Sequence, residues 1–270
     1  MELKSKNFCS VLKAQEIFNA FLILSFFSVS NAQVKVVDSK GLNFGILRAS
    51  FYEPKMGIMK YFNRNSLKVD IGNSLDLIEF KEKNFLLTAG VDFFAYTLVN
   101  NHGFLILRVE AVDGFFGGNL SFRSEKFSTR FRVLHRSAHI VDEYGELDHK
   151  PFPFTGEFFD LIFAFAGEFY KLYGGFSQVF RIKPSNIERF YFQTGFELFK
   201  ESKVFNLIFA SDVKFINKII GFNTVGGVKI GRLNSRGIFV YLNFYSGFDI
   251  YGQYFNLKKE FGGLGCSFEF

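Results

Sequence analysis

The chain holds almost no residues that make covalent or metal staples. Of 270 residues only two are Cys, four are Pro and none is Trp. Cys9 lies in the first 32 residues and Cys266 near the end, so once the leader is removed no internal disulfide forms and no Cys-based metal site exists. No segment after the leader approaches the roughly 20 apolar residues that a membrane-crossing helix needs. The densest apolar run, 161–167, is strand-sized. Lys and Arg are scattered without a basic block despite a net charge of +6, which argues against a nucleic-acid partner.

What is abundant is Phe, 42 residues, with 25 Gly and 48% hydrophobic residues. That composition permits many strands, and Phe and Tyr are left to supply the aromatic girdles of a membrane barrel. The last segment alternates. Leu264, Cys266, Phe268 and Phe270 share one face, while Gly265, Ser267 and Glu269 share the other. An apolar-out, polar-in strand ending on an aromatic resembles the closing strand of a bacterial outer-membrane β-barrel. Phe270 is then the expected contact for the barrel-assembly machinery.

Residues 1–32 read as a secretory signal. Lys4, Lys6 and Lys13 precede an apolar stretch from Ile17 to Val29, followed by the small-x-small pattern Ser30-Asn31-Ala32. Residues 33–270 are then one domain. Period-2 patterning predicts an all-β, closed antiparallel transmembrane barrel of about twelve strands, near 42–52, 67–80, 85–98, 103–123, 126–140, 157–170, 175–183, 188–199, 204–212, 219–231, 236–247 and 258–270. Ten is the alternative count, because 42–80 is the least regular stretch. Closure is required because an open sheet edge in lipid leaves backbone groups unpaired. Most short connections alternate with longer ones at 53–66, 141–156 and 248–257.

Face assignments follow from parity. Phe159, Leu161, Phe163 and Phe165 oppose Asp160 and Glu168. Arg130, Arg132 and Arg136 share a face, and one mid-membrane Arg on the lipid side costs about 2–4 kcal/mol. All three are therefore expected in the lumen, with Asp160 and Glu168 as partners. A lumen closed by ion pairs is the first expectation and an anion-selective pore the second.

Inward arginines put His135, Ser137 and His139 on the outer wall. A turn at Ser124-Glu125 would set His139 beside Glu110. A Ser hydroxyl needs a base, and the base needs an orienting group. Residues i and i+2 on one strand face lie about 6.5–7 Å apart, within side-chain reach. Two arrangements stay open: His139 oriented by Glu110 with Ser137 as nucleophile, or His135 as the base. His135 and His139, about 13 Å apart along a strand, make a poor metal pair. A plain cross-strand pairing of His139 with Glu110 is the alternative without chemistry. The acidic loop 141–156 carries Asp142, Glu143, Glu146, Asp148 and His149, oxygen-rich but without EF-hand spacing. No metal or other cofactor is expected.

Several segments carry a family resemblance: Leu67-Lys68-Val69-Asp70-Ile71-Gly72, Val112-Asp113-Gly114-Phe115-Phe116-Gly117-Gly118, Leu120-Ser121-Phe122-Arg123, Leu172-Tyr173-Gly174-Gly175, and above all His135-x-Ser137-x-His139 with Asp142-Glu143-Tyr144. The chain resembles an outer-membrane barrel family catalogued as domain of unknown function 1207. That resemblance implies an envelope barrel and no assigned activity. The chain has Ile140-Val141 where the family pattern leads one to expect Leu-Gly. Locally, His135-x-Ser137 also resembles the His-x-Ser pair that outer-membrane phospholipase and lipid A deacylase place on the outer wall, although the Asn following the phospholipase motif is missing. The expected role is an integral outer-membrane protein without catalysis, either a narrow pore or a surface-exposed structural protein. Lipid acyl-ester hydrolysis is the alternative.

Overall fold

A computed structural model describes residues 33–36, 41–103, 106–142, 151–216 and 219–270. The leader and the acidic stretch 143–150 lie outside the described residues. Strand β1 is Gln33–Val36, and a short β2, Met56–Tyr61, follows. The long strands are β3 (Ser66–Lys81), β4 (Leu86–Asn101), β5 (Leu107–Ser124), β6 (Phe127–Ile140), β7 (Phe154–Ala166) and β8 (Tyr170–Lys183). They continue as β9 (Phe190–Lys200), β10 (Phe205–Ile216), β11 (Ile219–Gly231), β12 (Gly237–Phe248) and β13 (Lys258–Glu269). Each long strand pairs antiparallel with its sequence neighbour. The ring closes where β2 joins β13 to β3, which makes a barrel of twelve strands, β2 to β13. β1 is a short addition to the same sheet and pairs with Ile78–Lys81, the end of β3 that β2 does not reach.

Alternation decides which face is which. On β12, Ile238, Val240, Leu242 and Phe244 are exposed, and Phe239, Tyr241, Asn243 and Tyr245 are buried. On β6, Phe127, Phe131 and Val133 point out while Arg130, Arg132 and Leu134 point in. The closing strand behaves likewise, with Leu264, Phe268 and Phe270 outside and Ser267 and Glu269 inside. The connections β3–β4, β5–β6, β7–β8, β9–β10 and β11–β12 all lie at the end that carries Phe270, called here the lower end. The long connections β6–β7 and β12–β13 lie at the upper end.

The stretch 42–52, expected as the first strand, is not a strand. Residues 41–55 enter the lumen and fill it, with Phe44, Leu47, Ala49, Ser50 and Glu53 all buried. The wall strand is β2, inside a segment expected as loop. Arg48 breaks the apolar parity of 42–52, and a segment with Asn43, Arg48 and Glu53 among its apolar residues has no face to offer lipid. Inside a polar lumen the same mixture is satisfied from every side.

The upper end is closed in part by the β12–β13 connection. A single 3-10 turn, Gly252–Tyr254, folds inward with all three residues buried. Gly252 is needed there, since a Cβ would stand 2.7 Å from both Ala138 Cβ and a Phe154 ring carbon. The Gln253 amide donates to the carbonyls of Ala138 and Phe152 and pins the turn against β6.

Candidate functional site

Two places gather chemistry-bearing side chains: the upper outer wall around β6, and the lumen around the inserted segment. On the wall, His135 projects outward and sits between neighbours on both sides. Its ring centroid is 4.8 Å from that of Phe116 on β5. Its Nδ1 is 3.1 Å from a carboxylate oxygen of Glu157, the residue opposite on β7. With Nδ1–H donated to Glu157, Nε2 is left as an acceptor. Arg181 stands 3.8 Å from the other Glu157 oxygen. Ser137 is two residues along the same face, between Gly114 and Thr155. Among the described residues no hydrogen bond joins Ser137 to either imidazole.

Glu110 is not in that patch. The β5–β6 turn comprises Glu125 and Lys126, with Ser124 opposite Phe127, and Glu125 takes a φ of +50°. That register sets Ser137 opposite Gly114 and His139 opposite Val112, two residues from the expected pairing. A bulge in β5, opposite the Leu98–Val99 step of β4, then leaves Glu110 as the unmatched residue and reverses its direction. Glu110 and Ala111 are therefore both buried. The Glu110 carboxylate accepts from Asn100 Nδ2 at 2.6 Å and from the Tyr254 hydroxyl, and the sheet separates it from His139. The acid beside His135 on the wall is Glu157, which sequence reasoning missed. Parity with Phe159, Leu161 and Phe163 already placed an acid at 157 on the outward face, and that was the available signal.

In the lumen the inserted segment is held by charge. Arg130 grips Glu53 through both terminal nitrogens, at 3.0 and 2.5 Å. Arg132 pairs with Asp160 at 2.6 Å, reaches Glu53 at 3.4 Å and donates to the Tyr52 carbonyl. Arg136 pairs with Asp113 at 2.5 Å, and donates to the Tyr52 hydroxyl and the Ile250 carbonyl. Lower down, Arg48 joins Glu197 at 2.8 Å and Glu269 at 2.9 Å, so the inserted segment is tied to the closing strand. Lys229 also reaches Glu269. Glu168 is elsewhere: it is exposed in the β7–β8 turn at the lower rim, because the strand ends at Ala166, before its parity applies.

These pairs are nearly all shielded from water. Removing one partner of a buried pair typically costs about 3–5 kcal/mol, because the other charge is left uncompensated. Aromatic packing adds to the clasp: Phe94 and Phe115 stack at 4.6 Å, and the Tyr96 hydroxyl donates to the Glu53 carbonyl at 2.8 Å. Among the described residues no group of three or more His, Cys, Asp or Glu is placed to hold a metal ion.

No helix among the described residues is long and apolar enough to cross a membrane, a statement that bears on helices alone. Comparison with curated proteins finds no match, and comparison with solved structures finds none either. A family match does exist: the family described as Protein of unknown function (DUF1207) matches residues 93–270, from within β4 to the last residue of the barrel. The chain belongs to that family.

Proposed function

We propose that this protein is an integral β-barrel of the bacterial outer membrane, secreted by a cleaved leader and closed by its own residues 41–55, with a structural rather than catalytic role at the cell surface. The observation that carries this reading is the outward face. Leu242, Phe244, Phe268, Phe131 and Phe93 are exposed on a wall whose interior holds the ion pairs. Such a belt on a water-soluble monomer would exceed the few hundred Å² of contiguous apolar surface that proteins leave in water. Acyl chains are the solvent that suits it.

The inserted segment favours the structural role over the pore. Glu53, Arg130, Arg132 and Asp160 form a connected charged cluster between the inserted segment and the β6–β7 wall, and Arg132 also holds the Tyr52 carbonyl. Expression with the leader intact tests the reading. The expected result is a protein of the outer-membrane fraction that migrates faster unheated than heated, and is silent in planar bilayers. Recovery in a soluble fraction contradicts it. Folding into the membrane is expected to depend on Phe270, by way of the barrel-assembly machinery.

A second reading has one specific support, the His135–Glu157 contact with Ser137 on the same face. In that reading Ser137 attacks a lipid acyl ester, His135 takes its proton through Nε2 and Glu157 orients the ring. Acyl release from dispersed phospholipid or lipopolysaccharide, lost in Ser137→Ala with folding intact, is the required result.

A further inference from the structure

Above the tip of the inserted segment lies a cavity of about 340 Å³. Phe51 and Tyr52 form its floor, β6 to β12 its wall, and the β8–β9 and β12–β13 connections its rim. Its size falls at the small end of the range of natural ligand sites. Most of the lining is apolar: Phe154, Phe158, Tyr191 and Tyr245 turn their rings into it.

One charged group in this cavity has neither a carboxylate nor a carbonyl partner among the described residues, whereas Lys55 and Lys171, the other inward lysines without an ion pair, give their ammonium protons to backbone carbonyls. Arg48, Arg130, Arg132, Arg136 and Lys229 each meet a carboxylate within 4 Å. Lys214, inward on β10, has no carboxylate within that distance among the described residues. Its ammonium stands 3.5 Å above the ring centroid of Tyr52. A cation over an aromatic face is attracted, by about 0.5–2 kcal/mol, but the ring carries no net charge to balance that of the half-buried ammonium. The acid two residues away on the same face, Asp212, acts on Lys214 only from beyond ion-pair distance, and it is partly committed elsewhere. One of its oxygens accepts from the Tyr173 hydroxyl at 2.8 Å and from the Gln193 amide at 2.6 Å. The neighbouring Arg136 is spent on Asp113, the Tyr52 hydroxyl and the Ile250 carbonyl.

We infer that this cavity is a binding site for a small organic monoanion, a carboxylate on a compact aromatic or apolar body, with Lys214 taking the carboxylate and the surrounding rings taking the body. Single charge follows from the lining. Asp212, Asp249 and Glu188 border the same space, so a dianion such as phosphate meets more repulsion than one ammonium offsets. Lys214 leans on Tyr52 and serves as the anion's counter-charge.

The test uses the full-length folded barrel in detergent, with benzoate as the probe. Benzylamine and benzyl alcohol are matched controls, read by equilibrium dialysis and by saturation-transfer NMR. The expected result is saturable benzoate binding, at least tenfold tighter than benzylamine. Lys214→Met should weaken benzoate at least tenfold and leave benzyl alcohol within about twofold, and Lys214→Arg should restore benzoate. Heat-modifiable migration checks that each variant folds. Absence of saturable benzoate binding, or benzylamine binding as tightly as benzoate, overturns the inference from the unaltered protein alone. Equal benzoate affinity in a folded Lys214→Met variant overturns it as well.

Discussion

Arg130 holds Glu53 by a two-pronged ion pair, 3.0 and 2.5 Å on the two carboxylate oxygens, with both side chains fully enclosed in the barrel. One partner belongs to the wall and the other to the inserted segment. The contact thus joins the barrel wall to the part of the chain that enters the lumen.

Glu53→Gln should destabilise the folded barrel by about 3–5 kcal/mol, because Arg130 keeps its burial and loses its anion. Arg132 retains Asp160 and is affected less. Urea titration of unfolding in detergent checks the magnitude. Limited proteolysis should show new cleavage within 41–55, and planar bilayers should show conductance steps absent from the unaltered protein.

Leu242 points outward in the middle of β12, and Asn243 beside it points inward. Leu242→Arg should cost about 2–4 kcal/mol of folding into lipid vesicles. An Asn243→Ser change on the other face should cost much less than that. Equilibrium folding titrations in vesicles distinguish the two faces.

The inward turn of the β12–β13 connection should respond to pH. Burial pushes the Asp249 carboxyl up to about 7, with Asp113 and Glu110 nearby adding in the same direction and the Tyr251 amide and Arg64 opposing. A carboxyl raised in the docked state stabilises docking fully below its ordinary value. That stabilisation is lost as pH rises towards 7. Protection of the 249–257 amides against exchange should therefore fall between about pH 4 and pH 7 and level off above it, whereas Asp249→Asn should show no such fall.

If the outer wall does chemistry, Glu157→Gln should lower acyl release by orders of magnitude without altering stability by more than about 1 kcal/mol, since Glu157 is partly exposed. Under the structural reading the unaltered protein releases no acyl groups and Glu157→Gln changes nothing.

Much of the wall was legible because a barrel with an apolar exterior and a polar interior imposes period 2 on every strand. β6, β7, β12 and β13 show the expected faces, and β11 has the expected limits, 219–231. The inserted segment was not legible, because 42–52 is amphipathic enough to pass for a strand, and only Arg48 on its apolar side signals otherwise. The wall patch failed at Glu110 for a local reason. Parity carries no information across a bulge, and nothing in Val109-Glu110-Ala111 marks one. The turn residue Glu125 likewise takes a positive φ without being Gly or Asn, which hid the two-residue register difference. Lys214 was invisible in sequence because its meaning depends on Tyr52, which only the inserted segment brings to it.

Side-chain direction in a bilayer tests the central claim most directly. Spin labels placed singly at residues 238–245 in a variant with Cys266→Ser, reconstituted in liposomes, report collisions with lipid-dissolved oxygen. Strong collisions at 238, 240, 242 and 244, alternating with weak ones at 239, 241, 243 and 245, are the predicted result. A uniform profile, or water-soluble reagent reaching the even positions, would contradict it.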